Sequence, residues 1–439
     1  LTQFEFLINS LHLICSICYI YENLKNDQLE NTIKMTCLNY SQALSLLLFL
    51  QAAIDNLPAS SGHPPLTSRD LENIIEDTNR VETAHPGITL SGYVDVGYIY
   101  NLTDDNTRVP NTQGYSADSG IEGDFSVNQI KLALEKPLTG DISTFEAGFR
   151  IDLMFGEDAA GFGVGPLDPI RTTSFYFQQA YINMNLPVGN GIELIAGQFN
   201  PFLGFEADER VDNLNITQGL NASVDPGPAA GVLASYAIND CLSLTQAIIN
   251  GSGASSNAGL DADSDGYALT GAIALANPTG NAETQWAYHY APMGDAGIGA
   301  GQTENEPLLG LNWVGTWAPL MFDDKLLLGF NASLWQGLDY TPDDSSTIIT
   351  TSWYTRYQWT DLISTASRFE YTHNDDSQFT GFQPDGSDDV WGWTGTLGFH
   401  FIDDLLIRCE YRIDWGNDVT TGINDDSIQT VAAQVVYSF

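Results

Sequence analysis

Residues 145–155 read Phe-Glu-Ala-Gly-Phe-Arg-Ile-Asp-Leu-Met-Phe. Phe145, Ala147, Phe149, Ile151, Leu153 and Phe155 alternate with Glu146, Gly148, Arg150 and Asp152. Neighbours in an extended chain point to opposite faces, so one face is apolar and the other carries an arginine between two acids. A soluble sandwich strand alternates in the same way. The length separates the two, because a run of about eleven residues exceeds the five or six of an ordinary soluble strand and matches what a tilted strand needs to cross hydrocarbon.

The pattern recurs. Leu405, Ile407, Cys409, Tyr411 and Ile413 alternate with Arg408, Glu410, Arg412 and Asp414, and Trp353, Thr355, Tyr357 and Trp359 alternate with Tyr354, Arg356 and Gln358. Sixteen such segments are expected, at about 88–101, 125–136, 143–155, 173–187, 191–199, 229–238, 241–250, 267–277, 282–291, 306–318, 324–336, 347–359, 361–373, 390–401, 405–414 and 427–439. An even number suits a closed barrel with both ends on one side of a membrane, and closure removes the edges that would aggregate.

The connections alternate too. Lys136-Pro-Leu-Thr-Gly-Asp141, Val188-Gly-Asn-Gly191, Asn239-Asp240, Asn277-Pro-Thr-Gly-Asn281 and Ile402-Asp-Asp404 are short, with the Gly, Asn, Asp and Pro chemistry of tight hairpins. The connections at about 102–124, 156–172, 200–228, 251–266 and 374–389 are long. Short inner turns and long outer loops predict an all-β fold, a transmembrane antiparallel β-barrel of about sixteen strands with periplasmic turns and extracellular loops.

Composition agrees. Of 439 residues, 15 are Lys or Arg and 56 are Asp or Glu, a net charge of −41, yet only 16% are charged. The acidity reflects scarce cations more than abundant acids. No basic surface exists to displace phosphate counterions, which excludes nucleic-acid binding through the backbone. With 43% apolar residues the chain can bury a core, which excludes disorder throughout. The eight long connections (102–124, 156–172, 200–228, 251–266, 292–305, 337–346, 374–389 and 415–426) hold 29 acids and 3 bases, a net of 3 − 29 = −26. Most of the negative charge is therefore expected on one rim, as a vestibule that concentrates cations.

The first 86 residues do not follow the period of two. Residues 1–34 precede the first methionine, Met35, and read as a segment upstream of the native start. Residues 35–59 read as a signal peptide around the apolar run Ala43–Ala53, which is too short to span a bilayer as a helix. Residues 60–86 read as a linker with a short acidic helix, leaving 87–439 as the barrel. Cys15-x-x-Cys18 has metal or redox spacing but no second pair, and Cys241 and Cys409 are expected as free thiols.

Two stretches carry a family likeness. Ser91-Gly-Tyr-Val-Asp-Val-Gly-Tyr-Ile-Tyr-Asn101 resembles the opening strand of the OmpL-like beta-barrel porins, and Ala196-Gly-Gln-Phe-Asn-Pro-Phe-Leu-Gly-Phe-Glu206 resembles a strand of the same family running into its turn. The resemblance covers about 87–439 and implies a pore-forming barrel of the bacterial outer membrane with no catalytic residues to transfer. The chain ends Val-Val-Tyr-Ser-Phe439; Tyr437 and Phe439 on one face resemble the signal read by the barrel-assembly machinery.

By similarity to general porins, the connection at 200–228 is expected to fold into the lumen. Its Glu206, Asp208, Glu209 and Asp212, with a single Arg210, would face Lys131, Arg150, Arg356, Arg368, Arg408 and Arg412 on the wall. Opposed charges across a pore sort solutes by charge and dipole. The alternative is that these groups only pair to brace the barrel and that the loop lies outside. Asp261, Asp263 and Asp265 could wrap a calcium ion, but the glutamate that would complete an EF-hand loop is replaced by Ala272; a solvated acidic loop is the plainer reading, and no other cofactor is expected. Trp313, Trp317, Trp335, Trp353, Trp359 and Trp391 suit interfacial girdles where they lie near strand ends, and Tyr93, Tyr181 and Tyr354 suit a sugar-stacking slide in the lumen. His400 faces inward near Thr396 without a nucleophile motif.

The sequence thus predicts a porin, an outer-membrane diffusion channel for small hydrophilic solutes and ions that prefers cations. Outer-membrane lipid, the assembly machinery, the solutes and other copies of the chain in a homo-oligomer such as a trimer are its expected partners. A non-conducting structural or adhesion barrel with a plugged lumen is the alternative, and a barrel hydrolase using His400 a more distant one.

Overall fold

The computed structural model describes residues 81–83, 85, 87–103, 124–162, 175–250, 267–292, 307–323, 325–337, 347–374, 388–416 and 427–439. The expected upstream segment, signal peptide, most of the linker and the acidic Asp261–Asp265 motif lie outside these residues, as does much of the acidic rim.

Strands alternate with connections along the described chain. After a two-residue strand β1 (Val81–Glu82) come β2 (Thr89–Asn101), β3 (Asp124–Lys136), β4 (Glu146–Phe155), β5 (Phe175–Leu186), β6 (Ile192–Phe199), β7 (Ala229–Asn239), β8 (Leu242–Asn250) and β9 (Tyr267–Ala276). They are followed by β10 (Ala282–Ala291), β11 (Leu308–Trp317), β12 (Leu326–Gly337), β13 (Thr347–Gln358), β14 (Ile363–Asn374), β15 (Asp388–Ile402), β16 (Leu405–Gly416) and β17 (Ser427–Ser438). Each of β2 to β17 pairs antiparallel with its sequence neighbours, and β17 returns to pair with β2, so that Val435 faces Val96 and Ser438 faces Tyr93. The result is a closed barrel of sixteen strands, as the sequence predicts, with β1 a short addition beside the start of β2. The seam is fastened by the last residue: the Gly92 amide donates to the Phe439 carbonyl at 2.9 Å and the Phe439 amide to the Gly92 carbonyl at 2.8 Å.

The period of two sorts the faces as expected. Val96, Ile182, Val232, Ile248, Ile273, Trp353 and Val435 stand exposed on the outside. Lys131, Arg356, Arg368, Arg408 and Arg412 are buried on the inside. One aromatic departs from its expected place. Trp335 is not in an outer girdle; it is completely buried in the lumen, where its ring packs on Gly310 and against His289 at 5.5 Å between ring centres. A side chain at Gly310 would meet that ring at 2.3 Å, so the small residue on β11 makes room for the large one on β12.

Bulges adjust the inner face. Register shifts at Asp95/Val96 and Asp152/Leu153 insert one extra residue opposite each, Asn128 on β3 and Gln178 on β5. Both are wholly buried, and Asn128 donates to Asp95 at 3.2 Å. A bulge re-aims a side chain at the cost of one ladder position, and here it adds polar groups to the lumen.

Candidate functional site

The third long connection, 200–228 between β6 and β7, lies inside the barrel. Two kinds of contact hold it. Its apolar residues Phe202, Leu203 and Val224 pack against Leu233, Ala247, Ala268, Leu308 and Trp335 from β7 to β12. Phe205 stacks on Tyr354 of β13, with ring centres 4.1 Å apart. The opposite wall, β14 to β17 with β2 and β3, binds the loop through charge.

That wall reads the loop's main chain. Glu410 accepts from the amides of Ile216 at 2.5 Å and Thr217 at 3.0 Å, and Glu370 accepts from the amide of Leu220 at 2.7 Å. Arg408 donates to the carbonyl of Arg210 at 2.6 Å, Arg412 to that of Gln218 at 2.7 Å and Arg368 to that of Thr217 at 2.6 Å. Acids on the wall thus satisfy loop donors and arginines satisfy loop acceptors. Buried backbone groups must find such partners, and charged partners make the stronger bonds.

The side-chain pairs complete the clamp. Arg368 bonds Glu206 of the loop and Glu370 of its own strand, each at 2.7 Å. Lys131 pairs with Glu209 and, at 3.2 Å, with Asp152. Arg210 does not face the wall cations; it donates to Asp158 at 2.8 Å, on the short helix α1 (Glu157–Phe162) of the second long connection. Arg150 pairs with Asp152 at 2.9 Å and Glu135 at 3.5 Å, and Arg356 with Gln358 at 2.7 Å. The structure therefore gathers the predicted loop and wall residues in one lumen, but it joins them in contact rather than setting them across a gap. Glu206 with Arg368 and Glu209 with Lys131 are direct pairs. Asp208 is less well provided: its Oδ2 makes no hydrogen bond, and burial beside Glu209 pushes its carboxyl up to about 7.

Sequence reading placed Asp152, Glu410 and Asp414 on the polar faces of their strands but did not count them, or Glu370, among the site residues. Glu370, Glu410 and Asp414 each stand two positions after an arginine, in Arg368-Phe-Glu370, Arg408-Cys-Glu410 and Arg412-Ile-Asp414, and Arg150-Ile-Asp152 repeats the spacing. Residues two apart on a strand share a face, so this recurrent spacing was a legible sign of a charged lumen stripe. Tyr93 and Tyr354 do not form a slide, because Tyr93 donates to Gln129 at 2.6 Å and Tyr354 lies under Phe205. His400 lies 3.1 Å from Ser364 Oγ, but the charged groups acting on it are Arg356 and Arg408.

The loop returns to the wall at Asp225, which accepts from Ser333 at 3.0 Å and Asn331 at 3.4 Å. Gly204, at φ +93°, leaves space for it, since a side chain there would meet Asp225 Oδ2 at 2.6 Å. Burial raises the Asp225 carboxyl from 3.8 to about 7, and the two hydrogen bonds only partly oppose that. The sign of the linkage is fixed by this shift. The folded state holds a proton that the unfolded chain loses near 3.8, so this anchor is strongest below that pH and weakens as pH rises through about 7. Limited proteolysis between residues 200 and 228 is expected to speed up across that window, and Asp225→Asn to flatten the dependence.

The barrel is similar in fold to known structures. The outer membrane channel DcaP of Acinetobacter baumannii superposes with a TM-score of 0.54 at 13% identity, covering 80% of this chain and 97% of that one. OprB of Pseudomonas putida gives 0.53 at 12% identity over 87% and 100%. The trimer form of OmpT of Vibrio cholerae gives 0.51 at 8% identity over 80% and 99%. At these identities the likeness is one of fold. No curated protein matches the sequence. Residues 87–439, the whole barrel, match the family model described as "Putative beta-barrel porin-2, OmpL-like", and the chain belongs to that family.

Proposed function

We propose that the protein is an outer-membrane diffusion channel for small hydrophilic solutes and ions, with a preference for cations and no catalytic activity. Membership of a porin family and a closed sixteen-strand barrel support the channel. The observation that carries the reading is the loop 200–228 inside the lumen, fastened to both walls, because a segment so held fixes which part of the cross-section stays open. Cation preference follows from the net charge of −41 and its concentration in the long connections. The barrel sits in bacterial outer-membrane lipid after signal-peptide removal, and Tyr437 and Phe439 present the closing strand to the assembly machinery. The trimer form of the Vibrio cholerae protein supports a homo-oligomer here.

One observation favours the second reading, a non-conducting structural barrel: from Glu209 to Asn221 most of the loop is buried. Planar-bilayer recording separates the two. The channel reading expects ohmic openings whose reversal potential in a salt gradient is cation-selective, more so at low salt. Silent bilayers from correctly folded protein would leave the structural barrel.

A further inference from the structure

Beside the loop lies a cavity of about 260 Å³. Its lining runs from Ser91 and Gly92, near the short-turn end of β2, to Asn200, where the loop leaves β6. The volume falls below the roughly 300–1,000 Å³ of sites for drug-sized ligands, so its occupant is a small solute. We propose that this cavity is a binding site for small solutes bearing an ammonium group.

The chemistry of the lining decides the class. Four of the lining's donor side chains are committed: Tyr93 to Gln129, Lys131 to Glu209 and Asp152, Gln179 to Asp152 at 2.8 Å, and Arg150 to Asp152 and Glu135. Acceptors remain. Asn200 Oδ1 and Glu209 Oε2 are buried and accept no hydrogen bond; the Gln178 amide approaches Glu209 without closing one. Unmatched buried acceptors cost free energy until something donates to them. Charge selects among donors. In the lining Lys131 and Arg150 balance Glu209 and Asp212, and Asp152 and Glu135, paired to the same two cations from behind, make the neighbourhood net negative. A neutral polyol would satisfy the acceptors but not the charge. An ammonium satisfies both, and Tyr181 in the lining supplies an aromatic ring that favours a cation.

This site rests on the cation-preferring channel and names what that channel would hold. Its test is calorimetric titration of the folded full-length protein with glucosamine and with glucose, at a pH where the amine is charged. The two differ in one group. Glucosamine is expected to bind saturably and glucose to give no measurable heat. Asn200→Ala is expected to weaken glucosamine binding about tenfold, the worth of one hydrogen bond to a charged group. Glu209→Gln should weaken it more; because it also frees Lys131, Asn200→Ala, whose amide oxygen has no structural partner, is the deciding variant. Equal binding of both sugars, no binding of either, or an unaffected Asn200→Ala protein would overturn the site. The bilayer result is independent: conduction without glucosamine binding sinks the site and spares the channel, whereas binding without conduction sustains the site and sinks the channel.

Discussion

Replacing residues 206–221 by a short Gly-Ser bridge is expected to raise the single-channel conductance several-fold. The segment occupies the lumen, and the wall meets it with Glu370, Glu410, Arg368, Arg408 and Arg412. Excision uncovers all five to water. Their charges, now spent on loop amides, carbonyls and Glu206, would line a wider aqueous path. The sixteen-strand hydrogen-bond ladder does not depend on the segment, so the barrel should still close and keep its heat-modifiable mobility in a gel. Two consequences follow together. Conductance rises because the cross-section grows, and cation preference falls, because three arginines are exposed against two glutamates while the excised segment takes away four acids (Glu206, Asp208, Glu209 and Asp212) and one base (Arg210). Unchanged conductance in the excised protein would mean that the loop does not set the open cross-section, and the role given to it here would fail while the channel stood.

Arg368→Ala is the single substitution expected to disturb the loop most. Arg368 is completely buried and joins four groups at once: Glu206, Glu370, the Thr217 carbonyl and Thr394. Removing it leaves Glu206 and Glu370 buried together without a cation. Breaking a buried pair by deleting one partner costs about 3–5 kcal/mol, because the remaining charge is uncompensated. That energy falls on the loop's docking rather than on the strand ladder, so the expected result is rapid proteolysis within 200–228 and noisy, enlarged openings from a barrel that still forms. Combining Arg368→Ala with Glu206→Gln and Glu370→Gln should restore much of the protection, since the carboxylates no longer need a partner. If Arg368→Ala keeps its protection, the loop is held mainly by packing, through Phe202, Leu203, Val224 and Phe205, and the charge clamp is secondary.

The barrel was legible in the sequence because its determinants are local and repeated. Alternation of apolar and polar residues sets the two faces of each strand, as in Phe145–Phe155, and the alternation of short and long connections sets the order in which strands return. These are properties of chain segments in a solvent with two phases, and they need no knowledge of which strands meet. The lumen charges were legible for the same reason, since parity along a strand places Lys131, Arg368, Arg408 and Arg412 inside. Trp335 shows the limit of the argument. Its place near a strand end suggested a girdle, and only the space left by Gly310 on the neighbouring strand explains how a side chain of that size fits inside the lumen.

What the sequence by itself determined is therefore the closed sixteen-strand barrel, its acidic balance and the set of charges that face the lumen. What only the tertiary structure decided is how those charges are spent. Arg368 and Glu206 are 162 residues apart, and Glu410 and Ile216 are 194 apart. Whether such groups stand across open water or close into buried pairs depends on the path of one loop through a closed barrel. That path is set by the packing of Phe202, Phe205 and Val224 and by the balance between desolvation and pairing, neither of which any single segment encodes. The pairing turned a field across a pore into a clamp on a loop, and left several buried acceptors beside it without a donor, Asn200, Asp208 and Glu209 among them.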